Sequence, residues 1–274
     1  MSEAEWDRRI RRANELTSFY PYATEGLRFY ARVAGFQKLL YADVRDAAKS
    51  SEKSAEVLSL RDEPDLFLLL PKFSGFLSLI QEISPPPLAS AAQELAQGGS
   101  ATWQRAISGF WWDRGGENND AQEMTPQEGL LAWIFLQPYA EALADMREPE
   151  RVDGTPSKCP VCGSNPTVGA LRREGDGAKK SLICMLCAHE WAFRRIYCPS
   201  CGEEREPHMG VYSAPEIAHV RVDVCDTCKT YLKSVDLTKM GLAVPVVDDL
   251  ATIPLDLWAR EHGYRKLQTN LLGT

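Results

Sequence analysis

The sequence predicts an α+β, multidomain chain: an N-terminal all-α helical domain, two tandem rubredoxin-like or zinc-ribbon modules, and a C-terminal helix. Three observations predict it. Residues 1–147 carry apolar side chains at three- and four-residue steps and contain no cysteine. All eight cysteines then fall in C-x-x-C pairs: Cys159 with Cys162, Cys184 with Cys187, Cys198 with Cys201, and Cys225 with Cys228. Finally, the pairs repeat, with 25 positions from Cys159 to Cys184 and 27 from Cys198 to Cys225, each unit opening C-P-x-C-G and closing with a plainer C-x-x-C.

The helical part reads in order as follows. Ser2 with Glu5 looks like a capping box, and a helix follows to about Leu16 with Trp6, Ile10 and Ala13 near one face. Phe19-Tyr20-Pro21-Tyr22 breaks it. A long helix spans 24–48 through Leu27, Tyr30, Val33, Gln37 and Leu40. Leu66 to Leu70 is expected to be interrupted by Pro71, with a further helix from Phe73 to Ile83. Pro85-Pro86-Pro87 stops that helix and Pro87 opens the next, which Gly98-Gly99 ends; Ser100 caps another, Ala101 to Trp112. Residues 114–123 read as a loop. Thr125-Pro126-Gln127-Glu128 is a strong helix start, and Pro138 is expected to kink the helix that runs to about Arg147.

Residues 148–158 have linker composition. The first module is assigned to 159–197 and the second to 198–240, with a C-terminal helical extension over 241–274. Strands are expected at Thr167–Arg173, Lys180–Cys184, Trp191–Tyr197, His208–Ser213, Ala218–Val224 and Tyr231–Leu237. A helix is expected from Asp248 to His262, stopped by Gly263.

Composition narrows the chemistry. A hydrophobic content of 44% and a charged content of 25% are those of an ordinary globular protein. The N-terminus lacks a basic stretch followed by an apolar one, and the longest apolar run, Leu66 to Ile80, is too short to span a bilayer. The reading is a cytoplasmic protein without membrane insertion. In a reducing compartment, paired cysteines point to metal first, and to disulfides or redox dithiols second. Residues 1–150 hold 15 Lys and Arg against 23 Asp and Glu, and residues 151–274 hold 16 against 15. Thiolate-bound metal would make the second half neutral to acidic, which argues against nucleic acid as a partner. The arginine cluster Arg8, Arg9, Arg11 and Arg12 reads as a solvated helix face rather than a binding patch.

A C-x-x-C turn aims two thiolates at one point, and two turns complete the tetrahedral S4 shell taken by zinc or iron. Two such metal ions are expected, one per repeat rather than cross-braced between repeats. Four thiolates leave no open coordination position, so hydrolytic zinc chemistry is excluded and no catalytic residues are assigned. Gly163 and Gly202 follow their opening pairs, where a left-handed residue is needed; Ala188 and Lys229 hold that place after the closing pairs. His189 and His219 read as hydrogen-bonding residues, since four cysteines already fill each shell.

The ribbon half resembles the FdhE family of formate dehydrogenase accessory proteins. The resemblance rests on C159-P-V-C-G-S-N-P, L182-I-C-M-L-C-A-H-E-W191, R194-R-I-Y-C-P-S-C-G202 and C225-D-T-C-K-T-Y-L-K-S-V-D236. It continues through Asp248-Asp249-Leu250, Leu255-Asp256-Leu257 and Gly263-Tyr264, and thus covers 158–264. It implies a helical domain joined to two rubredoxin-like modules, with metal on Cys159, Cys162, Cys184, Cys187, Cys198, Cys201, Cys225 and Cys228. It implies a cytoplasmic protein that is not an enzyme and that binds the catalytic subunit of a molybdenum or tungsten formate dehydrogenase during maturation. Two other readings stay open: a rubredoxin-like iron electron carrier or redox sensor, and a zinc-ribbon nucleic-acid adaptor. Oligomeric state and the choice of iron or zinc are not encoded in any motif.

Overall fold

The computed structural model describes residues 3–49, 66–112, 124–147 and 154–274. The helices are α1 (Glu3–Phe19), α2 (Thr24–Lys49), α3 (Leu70–Ile83), α4 (Pro86–Trp112) and α5 (Pro126–Asp145), followed after the sheet strands by α6 (Pro245–Ala251) and α7 (Ile253–Glu261). The chain divides into two compact units, one within Met1–Trp6 and Arg32–Glu148, the other within Asp7–Ala31 and Pro149–Thr274. Most of α1 and the start of α2 therefore belong with the cysteine-bearing half. The expected loop at 114–123 and the cap at Ser2 lie outside the described residues, as does most of the expected linker.

In the helical unit, the apolar positions read from the spacing are the buried ones. Phe73, Phe76 and Phe135 are fully buried, and the Phe73 and Phe135 rings meet edge-on at 4.7 Å. Trp111 is core, whereas Trp112 stays exposed. Thr125 and Glu128 form the expected capping box at the start of α5. Pro71 does not interrupt a helix. It occupies the first turn of α3, where its missing N–H has no partner to lose, and Leu66–Leu69 precedes it as a 3-10 turn. Gly99 does break α4, with φ 70 and ψ −171.

Pro138 sits inside α5 and cannot donate to the Ile134 carbonyl four residues back. Gln37 supplies the missing donor: its Nε2 gives 2.7 Å to Ile134 O and 3.1 Å to Gln137 Oε1. A buried glutamine on the apolar face of α2 is thereby explained by a proline on another helix.

The second unit is built on a sheet. Strands β1 (Pro166–Glu174), β2 (Gly177–Cys184) and β3 (Glu190–Phe193) form one antiparallel triplet; β4 (Met209–Ser213), β5 (Val220–Cys225) and β6 (Thr230–Asp236) form another. The triplets join through β1 and β6, which run parallel, so the order is β3-β2-β1-β6-β5-β4. Gly169 faces Ser234 at that junction, and a Cβ there would collide with the serine hydroxyl. A short β7 (Arg265–Lys266) pairs with the start of β6. One sheet face carries Val168, Ala170, Val220, Val222, Val224 and Val235, packed against Leu255 and Ala259 of α7, with Tyr20 beside them.

Two expected elements differ. The strand expected from Trp191 to Tyr197 ends at Phe193, where pairing with β2 runs out and the chain turns toward Cys198. The helix expected from Asp248 to His262 is two helices. Thr252 leaves helical geometry (φ −103, ψ 44), and Pro254 sits in the first turn of α7. The carbonyls freed at this break are met by Lys233, whose Nζ donates 2.6 Å to Asp249 O and 3.3 Å to Thr252 O.

Candidate metal centres

Each C-x-x-C pair sits on a tight turn at the end of the sheet. In the opening turns, Gly163 N–H donates to Cys159 O and Gly202 N–H to Cys198 O, both at 2.9 Å. Cys159 N–H and Cys198 N–H each reach forward, to Ser164 O and Glu203 O, at 2.8 Å. The residue after every pair is left-handed: Gly163 at φ 74, Gly202 at 77, Ala188 at 52 and Lys229 at 55. Glycine takes this conformation freely, while Ala188 and Lys229 hold it at a cost.

These turns bring the thiols together within each repeat and not across repeats. Cys159, Cys162, Cys184 and Cys187 have Sγ atoms within 4.8 Å of one another, and so do Cys198, Cys201, Cys225 and Cys228. The shorter separations are 3.6 Å for Cys159–Cys187, 3.3 Å for Cys162–Cys184, 3.7 Å for Cys198–Cys228 and 3.6 Å for Cys201–Cys225. A disulfide needs about 2.05 Å. A tetrahedral shell with metal–sulfur bonds near 2.3 Å puts neighbouring sulfurs roughly 3.8 Å apart. The donor set and its spacing fit one metal ion per cluster. Backbone donors point at sulfur as well, from Leu186 N to Cys184 Sγ at 3.3 Å and from Ser200 N to Cys198 Sγ at 3.4 Å.

The thiols of a cluster do not ionise alike. Hydrogen bonds from Cys159, Cys184 and Cys187 hold Cys162 well below the ordinary thiol range, while burial pushes Cys184 well above it. In the second cluster burial raises Cys198. Burial also works against ionisation of Cys228, yet the Thr230 hydroxyl, 2.9 Å away, and the Thr230 N–H bring it down to about 6. In each cluster ionisation of one thiol, Cys162 or Cys228, is favoured while that of its neighbours Cys184 or Cys198 is resisted. A bound cation is what allows four thiolates to coexist.

The surroundings of the clusters contain residues that the cysteine pattern alone does not reveal. Glu203 accepts from Arg205 Nε at 2.8 Å and from the Thr227 hydroxyl at 2.6 Å, so it ties the two turns of the second cluster together. Arg205 and Thr227 hold its carboxyl well below the usual range. Asp226, inside the closing turn, accepts from Lys229 Nζ at 2.6 Å and from Tyr264 OH at 2.8 Å. Glu203 lies two residues after Cys201, and Asp226 lies between Cys225 and Cys228, so nearness to the pairs was the available signal.

His219 Nε2 lies 2.9 Å from Asp248 Oδ1 and is in neither cluster. His189 stacks beside Trp191 and its carbonyl accepts from Cys184 N at 3.0 Å. Arg12 clamps Asp248 with two donors, Nε at 3.0 Å and Nη2 at 2.6 Å, and Arg8 Nη2 reaches Ala243 O at 3.5 Å. The Asp-Asp and Leu-Asp-Leu motifs are buried anchors. Lys233 Nζ meets Asp256 Oδ2 at 2.6 Å, Tyr231 OH meets Asp256 Oδ1 at 2.8 Å, and Lys266 and Asn270 hold Asp249.

Comparison with known proteins agrees with this geometry. Residues 158–195 match the model for the FdhE central domain, and residues 196–272 match the model for the FdhE C-terminal domain. A protein described as an FdhE homolog from Aquifex aeolicus is 26% identical over 275 residues, covering 96% of this chain and 94% of that protein. An FdhE homolog from Pseudomonas aeruginosa is 37% identical over 121 residues, covering 42% of this chain and 38% of that one. The crystal structure of the FdhE protein from Pseudomonas aeruginosa aligns over 100% of this chain and 97% of that chain, with a TM-score of 0.72 and 23% identity, which establishes the shared fold. The two matches follow one another without a gap and each takes in one four-cysteine cluster: residues 158–272 are the central and C-terminal domains of the FdhE family.

Proposed function

We propose that the protein is an accessory factor for formate dehydrogenase, and that it binds the catalytic subunit of that enzyme while the subunit is being matured in the cytoplasm. The observation that carries the reading is the FdhE match over 158–272, which coincides with both cysteine clusters and with their buried carboxylate anchors. In this reading Cys159, Cys162, Cys184 and Cys187 hold one metal ion, iron or zinc, and Cys198, Cys201, Cys225 and Cys228 hold the other. Each would supply a fixed S4 node that sets the path of two turns. A four-sulfur shell offers no place for substrate, so the reading assigns no catalysis to the chain. No helix among the described residues is long and apolar enough to cross a membrane.

The test is a deletion strain together with capture by the purified protein. The deletion is expected to leave the formate dehydrogenase polypeptide present and its activity reduced. The purified metal-loaded chain is expected to retain that polypeptide. Full activity in the deletion strain with no capture at micromolar concentration would overturn the reading. A second reading, one-electron transfer through iron, is favoured by a specific feature: Cys201 is exposed, so the second centre has a sulfur at the surface. Reversible bleaching of a thiolate-to-iron absorption band would support it; a colourless zinc-loaded protein would remove it.

A further inference from the structure

Lys229 turns left-handed after the last cysteine pair, with φ 55, and that turn carries the chain back so that Thr230 stands beside Cys228. Thr230 is the first residue of β6 and is held on both sides, against Cys225 of β5 and Arg265 of β7. It is buried, and its β-branched side chain has little rotational freedom there. Its hydroxyl oxygen lies 2.9 Å from Cys228 Sγ and 3.9 Å from Cys198 Sγ. Those two sulfurs are 3.7 Å apart, so the hydroxyl sits beside one edge of the second S4 set.

The same backbone position in the first repeat carries a different group. Ala188 is left-handed like Lys229, and His189 follows it as Thr230 follows Lys229. The His189 ring stacks with Trp191, 7° from parallel. The repeat therefore places a hydroxyl against sulfur at the second centre where the first has an imidazole turned to an indole. Among the described residues, the Thr230 hydroxyl meets no nitrogen or oxygen, only the two sulfurs. A thiolate has no proton to give, so with Cys228 bound to metal the hydroxyl can only donate, O–H to Sγ.

We propose that Thr230 is a positioning residue for the second metal centre: its hydroxyl orients the Cys228 thiolate and draws charge off the sulfur, which sets how readily the metal held there accepts an electron. The inference rests on the reading that Cys198, Cys201, Cys225 and Cys228 hold a metal ion. Four thiolates give an iron centre one net negative charge when ferric and two when ferrous. A donor aimed at sulfur stabilises the more negative, reduced state. One hydrogen bond to a charged acceptor shifts such an equilibrium about tenfold. Loss of the hydroxyl therefore lowers the reduction potential of this centre by about 59 mV, the one-electron equivalent of tenfold, and leaves the other centre where it was.

The test compares wild type with Thr230→Val, which keeps the shape and lacks the donor, and with Thr230→Ser, which keeps the donor. Each full chain is loaded with ferrous iron without oxygen, its metal content is measured, and it is titrated with redox mediators while the sulfur-to-iron absorption band is followed. Full loading of both centres is expected in all three. In Thr230→Val, half of the absorbance change is expected to move about 59 mV lower, while Thr230→Ser follows wild type. With Co²⁺ in place of iron, the sulfur-to-cobalt band of Thr230→Val is expected to move to lower energy. Thr230→Ala removes the same donor and takes the place of a Thr230→Val chain that fails to fold. Fully loaded Thr230→Val or Thr230→Ala with both centres at wild-type potentials, or an equal shift in Thr230→Ser, would overturn the proposal. Wild type that leaves the second centre without metal would instead overturn the metal reading beneath it, so the two failures are distinct.

Discussion

Around Cys159, Cys162, Cys184 and Cys187 all four residues are buried; around the second set, Cys198 and Cys225 are buried, Cys228 is half-buried and Cys201 is exposed. The cysteine plan is the same in both. The difference lies in what closes each site. The closing turn of the first cluster carries buried Met185 and Leu186 between its cysteines, whereas the second cluster's turns are laced by Glu203, Thr227, Asp226 and Tyr264. Burial protects a metal–thiolate centre by keeping water and chelators out. Polar lacing holds the turns in place but leaves a sulfur reachable. The repeat therefore produced two sites of one geometry and two exposures, a difference that suits one centre to structure and the other to exchange or electron transfer.

The largest expected effect separates the two by mutation. Cys162→Ser is expected to remove one metal ion per chain and to cost more than about 4 kcal/mol, the scale reserved for loss of a metal site. Cys201→Ser is expected to remove the other ion at a smaller cost, because less apolar structure surrounds it. Metal analysis with thermal melting of both variants checks this. Equal losses of stability would remove the contrast between a structural and an open centre.

A second experiment uses acid. Burial opposes ionisation of Asp248, but His219 and Arg12 hold it charged and below its ordinary value. A carboxylate depressed on folding stabilises the protein above its unfolded range near 4, and that contribution is lost as pH falls through the folded value. Metal release needs only thiolate protonation and should come at higher pH, from the second cluster first. Asp248→Asn, which leaves buried Arg12 with the exposed Glu15 carboxylate at 3.6 Å in place of its close bidentate anion, is expected to cost about 3 kcal/mol at neutral pH and to flatten the acid limb below pH ~4. Melting against pH, with metal release followed by a chromophoric chelator, resolves the two events.

How far these contrasts could be read beforehand differs by residue. The cysteine pairing was legible because C-x-x-C turns are local and their repeat is internal to the sequence. The strands between them are set off by turn residues, Glu174-Gly175-Asp176-Gly177 in one repeat and Ala214-Pro215-Glu216 in the other, and the Thr125 cap is a four-residue motif. The parallel join of β1 to β6 was not legible, since no local signal encodes which strand edges meet. Arg12 read as a solvated face because its partner, Asp248, lies 236 positions away. Lys233 stands in an expected strand with nothing local to mark its role, and it is fully buried where two helices leave carbonyls free. Gln37 could be explained only once Pro138 was seen to expose the Ile134 carbonyl. In each case a polar side chain serves a backbone group or charge distant in the chain, and hydrophobic periodicity carries no trace of such pairs.

Two smaller effects sharpen the comparison. Glu203→Gln removes the carboxylate that joins the turns of the second cluster, and is expected to weaken metal binding there by ~10-fold while sparing the first. Competition with a chelator of known affinity measures it. Ala188→Gly relieves the left-handed strain beside the first cluster and is expected to stabilise it by about 1 kcal/mol. Lys229→Gly relieves the same strain by the second cluster but forfeits the contacts of Lys229 with Asp226 and the Tyr264 ring, so its gain is expected to be smaller. Melting temperatures of the two variants decide between strain and contact.

X-ray absorption at the metal edge, on the full chain purified without oxygen, tests the central claim most directly. The account predicts four sulfur neighbours per metal near 2.3 Å, no metal–metal scattering, and two ions for each chain. Nitrogen or oxygen neighbours in place of sulfur, a short metal–metal vector, or a single ion shared by the eight cysteines would contradict it.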